Sequence, residues 1–248
     1  NPARRDEIVG TVIDASEDDC ADAASHARSW QHSGGPDRAF SLRRAADLYE
    51  THFGELFALL TREAGKTTVD AVAELREAVD FLRYYANQVD NSISTEPRGV
   101  IVCISPWNFP LAIFTGQIAA ALAAGNGVLA KPAETTPLIA NAAVSLLHDA
   151  GVPRNVLQLL PGDGKVGQAL IKQTVVKGVC FTGSTFTAQA INRTMSENLD
   201  PGAPLIAETG GLNAALIDST ALPERAVRDT IASAFQSSGQ RCSALRVL

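Results

Sequence analysis

A parallel α/β sheet with helices on both faces is the fold this sequence predicts, and three observations predict it. From residue 98 onward, short apolar segments alternate with longer segments of helical pattern. The apolar segments are near-continuous runs of Val, Ile, Leu and Cys, as expected of strands buried on both sides. Glycines, prolines and polar residues gather just after these segments, where sheets of this kind bind ligands. The strands are expected at residues 99–105, 127–130, 156–160, 178–181 and 205–207. The helices between them are expected at 111–124, 137–150, 166–172 and 185–198, with Gly125 and Gly151 ending the first two.

The first 97 residues have a different texture. Residues 9–13 read as a short strand. Residues 14–33 read as an Ala-rich helix capped by Ser16, with Glu17, Asp18 and Asp19 at its positive end. Gly34-Gly35-Pro36 reads as a break. A long helix from Asp37 puts Leu42, Ala45, Tyr49, Phe53, Leu56 and Leu60 on one face and ends near Glu63-Ala64-Gly65-Lys66. A second helix puts Val72, Leu75, Val79, Leu82, Ala86 and Val89 on one face. The two are expected to pair antiparallel, and fewer than four heptads in each favours core packing over a coiled coil. The chain thus divides into 1–97, 98–207 and 208–248.

Composition narrows the function. The 248 residues are 46% hydrophobic and 19% charged, with net charge −6. No basic run occurs, which argues against nucleic acid as a partner. The apolar run 111–122 is too short to span a membrane and carries Thr115, Gly116 and Gln117. The segment Asn1-Pro2-Ala3-Arg4-Arg5-Asp6 has no apolar core, so no signal peptide is visible. Cys20, Cys103, Cys180 and Cys242 form no CxxC pair, so neither a metal site nor a disulfide framework is expected, and a reducing, cytoplasmic setting fits. His26, His32, His52 and His148 lack metal-ligand spacing and read as solvated or capping residues.

Two features invite a chemical reading. Cys242 sits in the polar loop 238–243, after the helical pattern of Ala226, Val227, Ile231, Ala234 and Phe235. Taken alone it reads as a small buried hydrophobe, as most free cysteines are. The run 162–167 matches GxGxxG between a strand and a helix, which ordinarily signals dinucleotide phosphates. Here it follows the third strand, and no acidic residue stands about 20 positions on to meet a ribose. Any dinucleotide would therefore bind in a nonstandard way. Gly183-Ser184 is a second place where a helix start could hold an anion.

Pro106-Trp107-Asn108-Phe109-Pro110, Lys131-Pro132-Ala133-Glu134, Phe181-Thr182-Gly183-Ser184, Glu208-Thr209-Gly210-Gly211 and Gly239-Gln240-Arg241-Cys242 occur in that order. Together they resemble the aldehyde dehydrogenase superfamily across essentially the whole chain. Arg62 to Thr67, Arg76 to Ala86, Phe114 to Ala121, Leu205 to Gly211 and Ser243 to Leu248 narrow the resemblance. They are similar to the pyrroline-5-carboxylate (glutamate semialdehyde) dehydrogenase module of bifunctional proline-utilisation flavoproteins. Leu212 stands where many relatives have a polar residue or Lys, and Ala188 where many have a glycine. Neither is a catalytic position.

The resemblance implies a Rossmann-like cofactor domain at 98–207 and an N-terminal helical segment packed on it. It implies that 208–248 is the start of a catalytic domain, cut just after the nucleophile. Cys242 would attack the aldehyde, and a thiohemiacetal would give a thioester. The Asn108 amide and the Cys242 N–H would meet the oxyanion, and Glu208 would activate the hydrolytic water. The helix C-terminus before Cys242 offers no favourable dipole to a thiolate there.

NAD is the implied cofactor. Lys131 and Glu134 would hold its adenosine ribose, where Glu134 would repel the extra phosphate of NADP. Ser184 would hold a phosphate. Ile104, Ser105, Pro106, Trp107, Ala133, Gly162, Gly164, Val166, Phe181, Thr182, Gly183, Thr209 and Gly210 would complete the groove. FAD would belong only to a proline dehydrogenase domain outside these residues, if the parent is bifunctional. The implied partners are a small aldehyde and further copies of the chain. A related dehydrogenase for another semialdehyde, a noncatalytic relative, and a portion that binds nucleotide without catalysis are the alternatives.

Overall fold

Val-Ile-Val-Cys-Ile, the run Val100–Ile104, forms β1, and all five of its residues are buried. β-branched side chains suit a strand packed on both faces. The computed structural model that shows this describes residues 1–30, 34–91 and 96–248, with the backbone alone for 34–37 and 91. β1 is the centre of a five-stranded sheet. β2 (Gly127–Lys131) and β4 (Val176–Thr182) flank it, and β3 (Leu157–Leu159) and β5 (Leu205–Glu208) form the edges. All four pairings are parallel, so every strand ends at the same edge.

Parallel neighbours need crossovers, and helices supply them. α5 (Ala112–Ala123), α6 (Pro137–Asp149), α7 (Gly164–Ile171) and α8 (Thr185–Asn198) connect the strands in turn. Successive residues of β1 face opposite sides. Ile101 and Cys103 join a core with α5, α6 and the N-terminal helices α2 (Gly34–Thr51), α3 (Phe53–Arg62) and α4 (Thr68–Asn91). Val100, Val102 and Ile104 join a second core with α7, α8 and α1 (Glu17–His26).

The N-terminal helices pair as their apolar faces require. Leu42, Ala45, Tyr49, Leu56 and Leu60 are buried against Leu75, Val79, Leu82 and Ala86. Arg43 reaches Asp90, and Arg83 reaches Asp47 and Glu50, so α2 and α4 run antiparallel. Ser16 caps α1 through a reciprocal capping box with Asp19.

Several local expectations change. Residues 9–13 form no ladder among the described residues. Val12 and Ile13 are exposed, and the nearby Ala15 N–H bonds Pro161 O at 2.8 Å without strand pairing. α1 stops at His26, and His32 and Ser33 lie outside the described residues. α2 begins at Gly34 rather than after Pro36, because a first-turn proline forfeits no helical hydrogen bond. The long helix is two, broken at His52. Phe53 and Val72 face solvent.

Beyond β5, the short strands β6 (Asn213–Ala214) and β7 (Leu245–Val247) pair in parallel. α9 (Pro223–Phe235) lies between them and has no buried residue.

One cap ties the two halves of the fold. α6 begins with Pro137, and its preceding Thr136 makes no side-chain cap. Glu63, from the end of α3, accepts instead from Leu138 N at 2.8 Å and Ile139 N at 2.9 Å, one with each carboxylate oxygen. Burial pushes the Glu63 carboxyl up, opposed by those two N–H donors. Glu63→Ala should cost about 1–3 kcal/mol by orphaning them, read as a lower urea midpoint with an unchanged slope. An unchanged midpoint would mean that water replaces the cap.

Candidate active site

The strand ends converge on one cleft of about 910 Å³. β1 contributes Ile104 and, beyond it, Ser105, Pro106, Trp107 and Asn108. β2 and its following turn contribute Lys131, Ala133 and Glu134. β4 and the start of α8 contribute Phe181, Thr182, Gly183 and Ser184, and β5 leads to Glu208, Thr209 and Gly210. The loop from Gly239 to Cys242 lines the same cleft. Cys242, Glu208 and Asn108 are therefore brought together, with most of the expected groove residues.

Gly162 and Val166 are not in the wall of this cleft. Val166 is buried beneath it, and a Cβ on Gly162 would meet Val166 Cγ2 at 2.4 Å. Gly162 also has φ +147°, so glycine is needed there for backbone and packing reasons. Gly164, by contrast, has open space where a Cβ would stand. Asp163 caps α7 by accepting from Lys165 N at 2.7 Å. The GxGxxG run thus builds a helix start whose Gly164 and Gly167 reach the cleft.

Sequence reading missed the opposite wall. Thr187, Ala190, Ile191 and Thr194 of α8 line the cleft at helical spacing, facing Gly167, Gln168 and Ile171 of α7. Small and β-branched residues at that spacing were the available signal. Phe186 also lines the cleft and is exposed.

The groove has the polar groups a dinucleotide needs. Lys131 is buried, and its ammonium donates to Pro132 O and Gly162 O, both at 2.6 Å. Burial lowers its pKa, against the pull of Glu134, Asp163 and Asp14. Ser105 Oγ is buried at the cleft wall without a hydrogen-bond partner, and Gly210 leaves open space. The Ser184 hydroxyl accepts from Thr187 N at 3.1 Å and so caps α8. These residues fit a dinucleotide: an unpartnered hydroxyl, a fixed ammonium, a nearby carboxylate and glycine gaps share one groove.

The Cys242 loop is held by side chains from four places. Asn108 Nδ2 donates to Gln240 O at 2.8 Å. Asn213 Nδ2 donates to Cys242 O at 2.7 Å and to Ala244 O at 3.0 Å. Arg246 donates to Gly239 O at 3.0 Å. Arg241 donates to Ala232 O and Ser233 O at the end of α9, at 3.2 and 3.0 Å, so its charge is spent on that helix end. These anchors hold a backbone that local preference opposes. Ser237 and Ser238 have φ of +54° and +56°, each costing about 1–2 kcal/mol. The Cys242 side chain remains exposed.

A buried ion pair lies behind Asn108. Lys66 Nζ donates to Asn108 O at 2.6 Å and stands 4.5 Å from the centre of the Phe109 ring. It lies 2.9 Å from Glu74 Oε2, a close contact whose alignment is poor for a hydrogen bond. Glu74 Oε1 accepts from Leu111 N at 2.9 Å and Ala112 N at 3.3 Å. Burial pushes the Glu74 carboxyl up, and Lys66 pulls it back.

An exposed cysteine on an anchored loop and a carboxylate share one cleft at the ends of a parallel sheet, beside a groove suited to a dinucleotide, and the combination points to a class. The chain belongs to the aldehyde dehydrogenase family, which it matches over residues 1–248. It is 56% identical to the bifunctional protein PutA of Klebsiella aerogenes, over 100% of this chain and 20% of that protein. It is 38% identical to the 1-pyrroline-5-carboxylate dehydrogenase of Bacillus mycoides, over 98% of this chain and 52% of that one. An NAD+ complex structure of an aldehyde dehydrogenase from Bacillus cereus superposes with a TM-score of 0.91 at 32% identity, covering 96% of this chain and 52% of that chain. The chain thus spans about a fifth to a half of these relatives' lengths.

The loop anchors make a prediction. Asn213→Ala should speed amide exchange across residues 240–245 by about 10-fold, the effect of losing roughly 1–1.5 kcal/mol of local hydrogen bonding. Unaltered exchange would mean that Asn108 and the arginines hold the turn without it.

Proposed function

We propose that this protein oxidises glutamate semialdehyde, the open form of pyrroline-5-carboxylate, to glutamate with NAD, as a step in proline catabolism. The observation that carries the reading is the meeting of Cys242, Glu208 and Asn108 in one cleft with the Lys131–Glu134 groove. The likeness to PutA and to 1-pyrroline-5-carboxylate dehydrogenase supports the choice of aldehyde. The likeness to a dehydrogenase solved with NAD+ supports the choice of cofactor.

In this reading residues 98–207 hold the cofactor, 1–97 pack on them, and 208–248 contribute the nucleophile and base. Lys131 and Glu134 hold a ribose, with the Glu134 charge set against a 2′-phosphate. Ser105 and the gaps at Gly164 and Gly210 receive the rest of the dinucleotide. The bound dinucleotide supplies an acceptor for the hydride whose loss turns a Cys242 thiohemiacetal into a thioester.

The protein's own groups do the remainder. The Cys242 thiolate adds to the carbonyl carbon, and the carbonyl electron pair moves to oxygen. The Asn108 amide and the Cys242 backbone N–H meet that oxyanion. Asn108 Nδ2 has two hydrogens and gives one to Gln240 O, which leaves one for the substrate. Glu208 then takes a proton from the water that attacks the thioester, and the Cys242 sulfur leaves. Glu208 is exposed, which leaves room for the carboxylate to shift.

The same reading makes the intact protein a cytoplasmic homo-oligomer. All four cysteines are free, as a reducing compartment would keep them. No helix of the described residues is long and apolar enough to cross a membrane.

The test is NADH formation from pyrroline-5-carboxylate by the full-length protein. Cys242→Ala should abolish it. Asn108→Ala should lower kcat by about 10²–10³-fold, and Glu208→Gln by about 10²–10⁴-fold. Turnover of succinic semialdehyde but not of pyrroline-5-carboxylate would sink the substrate assignment and keep the chemistry. Activity surviving in Cys242→Ala would sink both.

A further inference from the structure

Among the described residues, Lys66 and Glu74 form the most deeply buried ion pair, with side chains 6% and 1% exposed. A buried pair of this kind contributes little net stability compared with a well-packed apolar replacement. Its presence is better explained by what it holds. Lys66 follows the left-handed turn at Gly65 (φ +69°), and its own N–H is fixed to Leu60 O at 3.1 Å. Its ammonium crosses to the Pro106–Pro110 loop and takes the Asn108 carbonyl, over the face of Phe109. Glu74 takes the N–H groups of Leu111 and Ala112, where α5 starts.

The two charges therefore grip the Asn108–Ala112 turn at both ends. The Asn108 peptide cannot rotate without breaking the Lys66 bond, and α5 cannot slide without orphaning N–H groups on Glu74. What the grip leaves free is the Asn108 side chain, which reaches Gln240 O, two residues before Cys242.

We propose that the Lys66–Glu74 pair is the positioning unit for Asn108, fixing its peptide so that its amide meets the Gln240–Cys242 loop in the geometry the oxyanion requires. This rests on the reading of Asn108 as an oxyanion donor. Lys66 and Glu74 touch no reacting atom in this account and act only through Asn108. Displacing such a donor by about 1 Å is enough to slow chemistry by about 10²-fold.

The experiment is a mutant cycle in the full-length protein, with pyrroline-5-carboxylate and NAD. The combined variant Lys66→Met with Glu74→Gln removes both charges and keeps an amide acceptor for Leu111 and Ala112, so no lone buried charge threatens the fold. A cooperative melt within about 5 °C of the parent checks this. Lys66→Arg, which keeps the charge and moves its donors, replaces it in the cycle should that melt fail.

The expected result is a fall in kcat of about 10–100-fold, with NAD affinity by fluorescence titration unchanged. Placed on top of Asn108→Ala, the same change should cost less than about 2-fold, because the group it positions is already gone. An equal cost in both backgrounds would overturn the positioning role and leave the oxyanion reading standing. Full activity of the charge-free variant beside a crippled Asn108→Ala would do the same. Full activity of Asn108→Ala itself would overturn the oxyanion reading and this proposal with it.

Discussion

Every strand of the sheet runs in one direction, and much of the site follows from that constraint. With β1 buried on both faces between two parallel neighbours, each crossover must return over a face before the next strand begins. The carboxyl ends then share an edge, and the loops leaving them have no sheet partner. Asn108, Lys131, Thr182 and Glu208 come from separate stretches of sequence, yet all lie at or just beyond a strand end on that edge. The N-terminal helices serve the same arrangement. They cover one face with the core built on Leu42, Tyr49, Leu56 and Leu82, and they send Glu63, Lys66 and Glu74 to fix the starts of two crossover helices.

Much of this was legible in the sequence because burial leaves a pattern. β1 and β2, buried throughout, have only apolar residues to show, and short apolar runs also marked the less buried β3, β4 and β5, so all five were found within about two residues. α8 was found with its ends intact, its cap being Ser184. The failures share a cause. Residues 9–13 looked like a strand because local composition cannot say whether a partner exists. The break at His52 and the helical start at Gly34 depend on packing and on first-turn hydrogen bonding, neither of which is written in periodicity. Val72 was taken as core on spacing, whereas Ala71 beside it and Glu74, two positions on, are the buried residues. A carboxylate at a core position reads as an error until its partner Lys66 is seen.

The lining of the cleft was legible as a set of loop residues, and the contacts that support it hardly at all. Cys242, Glu208 and Asn108 were named from their motifs. Asn213 and Lys66, which hold the neighbouring backbone, carry no local signal, because their bonds to the Cys242 and Asn108 carbonyls join residues 29 and 42 positions apart. The loop they hold contains two serines in left-handed backbone followed by Gly239, also at positive φ. Such a segment persists only where its surroundings over-determine it. Arg241 illustrates the point. It stands next to Cys242 in the chain, yet its guanidinium closes the end of α9.

Lys131 carries a consequence for the groove it lines. An ammonium has three hydrogens, and two are committed to Pro132 O and Gly162 O. One donor is left, on a stem whose torsions the fold has already frozen. Ordering a free lysine costs up to about 2 kcal/mol of side-chain entropy. Here that loss was incurred when the chain folded, so a hydroxyl arriving in the groove meets a donor that loses almost no further freedom on bonding it.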